Sequence, residues 1–179
     1  TSGTTGEPKG AMLTHGNMTS NCVPLTPLFG ITSKDVALSF LPLSHVLERQ
    51  SNFCMVIGGA HVYFAESVEA VPNNLMEVRP TLLASVPRLF EKIKAKVLDK
   101  VAQDSALKQH VFKWASDVGT EFLDAKQAKA PVNFGLALRH QAADGLVFSK
   151  IRERTGGRLR ICISGGAPLA ADVGKFFGM

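Results

Sequence analysis

Along this chain, short runs rich in apolar and β-branched residues alternate with longer stretches in which apolar positions return every three or four residues. Val36–Leu41 (VALSFL), His61–Phe64 (HVYF), Thr81–Val86 (TLLASV) and Leu159–Ile163 (LRICI) are each too short for a helix and read as strands. The near-continuous apolarity of TLLASV and LRICI predicts strands covered on both faces, as in a parallel or mixed sheet with helices packed against it.

Between them the period changes. Leu89, Ile93, Val97 and Val101 repeat every four residues with Glu91, Lys92, Lys94 and Lys96 on the other face, which predicts one amphipathic helix with Pro87 in its first turn. Leu107, Val111, Ala115, Val118 and Phe122 extend the helical region to the Ala130-Pro131 break, and Leu138, Ala142, Leu146 and Ile151 mark another helix. Trp114 reads as a core or packing aromatic. After Asn17, Pro24 and Pro27 should kink or stop a helix near Val23, because proline lacks the N–H and clashes with the preceding turn, at about 3 kcal/mol. The expected fold class is α/β: a mixed or parallel sheet flanked by helices.

Composition narrows the class. With 45% hydrophobic and 20% charged residues in 179, the chain has the balance of a globular domain. Its apolar stretches are broken by Pro, Gly or charge before they reach the ~20 residues that cross a bilayer. The net charge of +5 is spread among acidic residues without interleaved aromatics, so nucleic acid is not the expected partner. Cys22, Cys54 and Cys162 lack zinc-site spacing and an even count, and reduced thiols in a cytoplasmic protein are expected. No metal-ligand pattern stands out. Thr1 in place of Met gives the start the look of a cut end.

The first ten residues carry the chemistry. Thr1-Ser2-Gly3-Thr4-Thr5-Gly6-Glu7-Pro8-Lys9-Gly10 sets four hydroxyls, three glycines and one lysine in a row. Glycines allow close backbone approach, exposed N–H groups and hydroxyls donate to phosphate oxygens, and Lys supplies a point charge. A flexible surface loop is the plain alternative for such a cluster. Walker A is excluded: it needs Lys directly after Gly and a hydroxyl directly after Lys, whereas Glu7 and Pro8 precede Lys9 and Gly10 follows it. Near the other end, Ser164-Gly165-Gly166-Ala167-Pro168-Leu169 follows a strand. That places it where ligands of open α/β sheets collect, although a simple strand-to-helix turn with Pro168 at the first helical position fits as well.

The opening loop resembles the T-S-G-T-T-G-x-P-K-G signature of the adenylate-forming (AMP-binding) superfamily at all ten positions. Leu41-Pro42-Leu43-Ser44-His45-Val46-Leu47-Glu48-Arg49 and Ser85-Val86-Pro87-Arg88-Leu89-Phe90-Glu91-Lys92 are similar to its long-chain fatty acid–CoA ligases, and Gly165–Leu169 to its adenine-side loop. The resemblance implies that the chain is part of the large N-terminal domain of such an enzyme, a partial adenylation domain over 1–179 with both flanks and the C-terminal lid domain missing. It implies ATP, Mg²⁺ and CoA as cofactors or cosubstrates and a fatty acid as substrate. Peripheral contact with a membrane surface stays open.

Thr1, Ser2, Gly3, Thr4, Thr5, Gly6 and Lys9 would then hold phosphates, with Lys9 as the catalytic clamp. Gly165, Gly166, Ala167 and Pro168 would hold adenine, and His45 would line the substrate pocket. Glu48-Arg49 reads as a surface pair or as part of that lining, with a structural role expected, and Arg88 as solvated or paired. In the family, a Tyr-Gly-x-Thr-Glu segment, a ribose-binding Asp, a hinge and a catalytic C-terminal Lys follow these motifs. This piece stops at Met179 before any of them, so alone it is expected to be inactive and marginally stable. The alternatives are an adenylate-forming ligase for a different carboxylic acid, a P-loop NTPase and a noncatalytic nucleotide-binding module.

Overall fold

The computed structural model describes residues 10–179, so the expected phosphate contacts of Thr1, Ser2, Gly3, Thr4, Thr5, Gly6 and Lys9 lie outside the described residues. Four short strands, β1 (Val36–Ser39), β2 (His61–Phe64), β3 (Leu82–Ser85) and β4 (Ile161–Ser164), form one sheet in the order β2-β1-β3-β4. Every pairing is parallel. The α/β expectation holds, with the parallel form of the sheet.

Helices cover both faces. On one, α1 (His15–Leu28) and α2 (Val46–Gly58) enclose Cys22, Cys54 and Met55 against Ala37 and Leu82. On the other, α3 (Val71–Val78), α4 (Pro87–Ala102) and α8 (Ala171–Gly178) bring Leu75, Phe90 and Val173 onto Leu38 and Leu83. This is the two-period code at work: alternate residues of one strand serve opposite layers. All four residues of β3 are buried, as its sequence predicts. Those of β4 are not, because among the described residues β4 pairs only with β3 and leaves Cys162 exposed.

A third cluster stands away from the sheet. There α5 (Ala106–Gln127) packs on α6 (Phe134–Ala143), a π turn (Asp144–Phe148) and α7 (Ser149–Glu153) around Ala115, Val118, Leu136 and Phe148. The stripe expected here at Leu138, Ala142, Leu146 and Ile151 is out of phase: Leu138 and Leu146 are exposed, while Leu136, Ala143, Val147 and Phe148 are buried. The offset begins before the π turn: Leu136, Ala143 and Val147 keep the seven- and four-residue spacing of one helical face beside the expected stripe, and Ile151, four beyond Val147, packs against the same cluster. Trp114 is 37% exposed and belongs to none of the three clusters, so it is not a core aromatic.

The other correction concerns α1. It does not stop near Val23 but runs to Leu28 with Pro24 and Pro27 inside it. Ser20, Val23 and both prolines are exposed, so the carbonyls that lose a donor face water. The opposite face is held by tertiary contact: Cys22 is 1% exposed, and Thr26 Oγ1 donates to the Cys22 carbonyl at 2.8 Å. Cys22, Cys54 and Cys162 are free thiols, and burial with Cys22 nearby pushes the Cys54 thiol up to about 11. No described helix is long and apolar enough to cross a membrane.

Candidate functional site

In an open parallel sheet the favoured crevice lies outside the carboxyl ends of the strands, where the strand order reverses. Here the chain leaves β1 through α2 toward β2, and leaves β3 through α4 in the direction of β4, so the reversal falls between β1 and β3. A cleft of about 480 Å³ opens at that edge, lined by His45 from the β1–α2 loop, Val86, Pro87, Arg88 and Glu91 from the β3–α4 junction, and Gly166, Ala167 and Pro168 from the loop after β4. Three segments singled out in the sequence thus meet at one place.

Local chemistry builds each wall. Gly165 N–H donates to the Ser85 carbonyl at 3.0 Å, extending the β3–β4 ladder one step, and the backbone then turns at Gly166 with φ +85°, which excludes a side chain without strain. Pro168 is not the first residue of a helix, since α8 begins at Ala171. The residues from Gly165 to Ala170 are therefore a loop, longer than the simple strand-to-helix turn. Val86 is in extended backbone and Pro87 occupies the first position of α4, as expected, so the positive end of that helix faces the cleft beside Arg88. Neither Arg88 nor Glu91 has an ion-pair partner among the described residues, and both are exposed.

His45 caps α2: its Nδ1 accepts from the Leu47 N–H at 3.3 Å. An accepting Nδ1 is unprotonated, so in the neutral ring the proton sits on Nε2. Leu47 in turn abuts the loop after β4, because a Cβ built on Gly165 would lie 2.7 Å from Leu47 Cδ1. Since that atom is the end of a flexible side chain, Gly165→Ala is expected to cost only about 1 kcal/mol, measurable by urea unfolding. A loss above about 3 kcal/mol would mean that Leu47 has nowhere to go.

Sequence reasoning undervalued Glu48. It is 2% exposed, contacts Ser39 Oγ through Oε1, and receives Asn52 Nδ2 at 3.3 Å, while its Oε2 has no partner. Burial pushes its carboxyl above the ordinary range, outweighing Ser39, Asn52, the Phe40 N–H and His45, all of which favour the charged form. Its neighbour Arg49 turns outward and donates Nε to the Leu43 carbonyl at 3.2 Å, so the two do not form a surface pair. The visible hint was position: Glu48 is the third residue of α2, where Glu ordinarily reaches back over a cap.

The strand ends also bear on the reaction class. Among the described residues, β1, β2, β3 and β4 end in Ser39, Phe64, Ser85 and Ser164, with no Asp at the place a Walker B acid would take. No group of three or more His, Cys, Asp or Glu gathers among them, so they hold no dedicated Mg²⁺ cage; Mg²⁺ carried on nucleotide phosphates needs only one or two protein carboxylates.

Comparison with known proteins agrees with this geometry. The family described as AMP-binding enzyme matches residues 1–178. Long-chain-fatty-acid–CoA ligase 5 of Mus musculus is 37% identical over 182 residues, covering 99% of this chain and 25% of the mouse protein. Long chain acyl-CoA synthetase 6, peroxisomal, of Arabidopsis thaliana is 36% identical over 177 residues, covering 98% of this chain and 24% of its own. Fatty acyl-CoA synthetase A of Dictyostelium discoideum is 37% identical over 180 residues, covering 98% and 25%. This chain therefore spans about a quarter of the length of these relatives. No solved structure matches it at a significant level. With its family match running almost from end to end, the chain belongs to the AMP-binding enzyme family.

Proposed function

We propose that the protein containing this chain activates a fatty acid with ATP and passes the acyl group to CoA. The observation that carries the reading is the gathering of the His45, Val86–Arg88 and Gly166–Pro168 segments on one carboxyl-edge cleft, in a chain that opens with Thr1–Gly10. The relatives' names supply the fatty acid and CoA.

In the first step a carboxylate oxygen bonds to the α-phosphorus, the bond to the β-phosphate oxygen breaks, and pyrophosphate leaves. In the second, the CoA sulfur attacks the acyl carbon and AMP departs with the electron pair. The substrate arrives ionised at neutral pH, so the first step asks no proton of the protein; it asks for charge stabilisation and alignment. Loop N–H groups, the hydroxyls of Thr1, Ser2, Thr4 and Thr5, and Lys9 would hold the phosphates. Gly165, Gly166, Ala167 and Pro168 would lie along adenine, where the absence of bulk lets a planar base meet backbone. His45, with its ring on the cleft, would line the substrate side. Mg²⁺ would enter with ATP and offset phosphate charge. A cytoplasmic enzyme touching a membrane surface only peripherally fits a lipid substrate.

The test is ATP–pyrophosphate exchange by the full-length gene product across acids from acetate to stearate. Exchange that depends on a long-chain acid is expected, and Lys9→Ala should lower it about a hundredfold. The 179-residue chain alone is expected to show only background exchange. ATP hydrolysis indifferent to fatty acid and CoA would overturn the reading in favour of an NTPase. Exchange only with some other acid class would move the substrate and leave the adenylation intact.

A further inference from the structure

Beneath the cleft, on the α2 side of the sheet, lies a polar cluster that the proposed chemistry does not use. Ser39 is 5% exposed and ends β1; Glu48 is 2% exposed and sits in the first turn of α2; Asn52 follows one turn later. Asn52 Nδ2 donates to Ser39 Oγ at 3.2 Å and to the Glu48 main-chain carbonyl at 2.9 Å, so the three form a single knot joining strand end to helix start. Beside Glu48 is a cavity of about 10 Å³, at most the room of one water and too small for a hydrated counter-ion.

Among the described residues no Lys or Arg compensates this acid, and His45 favours its charged form less than burial opposes it. On α2 itself, Arg49 turns away to the Leu43 carbonyl and His45 lies on the cleft side of the first turn. Cys54 lies further along α2, Cys22 faces it from α1, and from β1, β2 and β3 the cavity is lined by Leu38, Val62 and Ala84. Among the described residues no ion pair involves Glu48. An ionised carboxylate with one oxygen lacking any partner is expensive in such a place, whereas in the neutral acid Oε1 still accepts from Ser39 Oγ–H and Asn52 Nδ2 while Oε2, as a hydroxyl, carries no charge.

We propose that Glu48 is a positioning residue for the cleft: held as a neutral acid between Ser39 and Asn52, it fixes the first turn of α2 and so sets His45 and Leu47 against Gly166 and Gly165. The path is short. Ser39 and Glu48 fix the turn, Leu47 in that turn touches Gly165, and His45 at its cap shares the cleft with Gly166. Ionising Glu48 would leave a buried charge with Oε2 unpartnered, a cost the turn relieves only by moving off the sheet toward water, and that movement loosens the loop that grips a ligand. This rests on the reading of the cleft as a nucleotide site.

Two measurements on the full-length gene product separate the two readings. Infrared difference spectra of wild type and Glu48→Gln should show a protonated carboxylic acid band at neutral pH that the variant lacks; its absence from wild type would overturn the proposal. If Glu48→Gln does not fold, Ser39→Ala replaces it, and the band should move as its hydrogen bond is lost; an unmoved band would be equally fatal. The second measurement is the affinity for a fluorescent ATP analogue as pH rises. Wild type should weaken by about tenfold, the worth of about one hydrogen bond to the ligand in a loosened loop, as Glu48 ionises, while Glu48→Gln, whose amide cannot ionise, should lack that limb. Coincident pH profiles for the two would refute positioning. No binding by either at any pH would refute the nucleotide reading, with the infrared result still deciding the state of Glu48.

Discussion

Arg160→Met should lower the unfolding free energy by about 3 kcal/mol, the low end of what breaking a buried ion pair costs, because 39% of the Arg160 side chain meets solvent. Asp35, by contrast, is 4% exposed. Arg160 grips it with two bonds, Nε to Oδ1 at 2.8 Å and Nη2 to Oδ2 at 2.7 Å, and the same guanidinium donates to the Gly30 carbonyl at 2.8 Å. Thr81 Oγ1 donates to Oδ1 at 2.7 Å and the Thr32 N–H to Oδ2 at 2.9 Å. One carboxylate therefore ties the amino ends of β1, β3 and β4 to the turn after α1. Removing the cation leaves a buried charge with three neutral donors, since Thr32 Oγ1 also donates to Oδ2 at 3.3 Å. Asp35→Ala should cost less, because the exposed part of Arg160 can hydrate.

A pH dependence follows with a definite sign. The Arg160 guanidinium first, then Thr81 and Thr32, hold the Asp35 carboxyl well below its usual range, against the opposing effect of burial. A depressed acid contributes stability above its unfolded value of about 3.9 and loses it as pH falls through that value toward the folded one. Urea midpoints of wild type and Arg160→Met should thus differ most near neutrality and converge in acid. Parallel curves down to about pH 2 would show that the pair contributes no protonation-linked stability.

The Asp35–Arg160 pair also marks what a sequence conceals. The two are 125 positions apart, and each looks like an ordinary surface charge until the sheet aligns β1 with β4. Glu48 is similar: its burial depends on Ser39, nine residues earlier on a strand. β3 was legible because burial on both faces writes a plain apolar run, whereas β2 and β4 show short apolar runs without that burial among the described residues; strand ends were overcalled, as at Leu41 and Val86, where chain leaves the ladder. The helix phase was lost ahead of Asp144–Phe148: Leu138, Ala142 and Leu146 keep helical spacing as well as the buried Leu136, Ala143 and Val147 do, and periodicity alone does not choose between two apolar faces. Pro24 and Pro27 misled because local cost was weighed without the α2 contact on the opposite face. Of the site, Gly165–Pro168 and His45 could be read from residue type and order; that they share a cleft could not.

Gly156→Ala should be the most damaging single methyl in the chain, at about 2–4 kcal/mol. Two effects add. Gly156 has φ +89°, where an L-residue loses about 1–2 kcal/mol, and a Cβ there would lie 2.6 Å from the Leu75 carbonyl oxygen and 2.7 Å from Arg79 Cα. Both obstacles are backbone at the end of α3, so no rotamer change relieves them, and overpacking of this kind costs about 1–3 kcal/mol. The arrangement is reciprocal: Arg79 itself is left-handed, at φ 50°, and its Nε donates to the Gly156 carbonyl at 2.9 Å. Gly157 supplies the control. It too has positive φ, +74°, and its N–H closes the helix end on the Arg152 carbonyl, but a Cβ there meets nothing nearer than Arg79 Nη2 at 4.0 Å. Gly157→Ala should therefore lose only the conformational part, about 1–2 kcal/mol. The difference between the two variants in urea unfolding isolates the contact between this turn and α3, and equal losses would mean that the turn yields freely. If the contact is stiff, Gly156 sets where β4 enters the sheet, and with it the height at which Gly165 and Gly166 meet Leu47 and His45 four residues beyond the start of that strand.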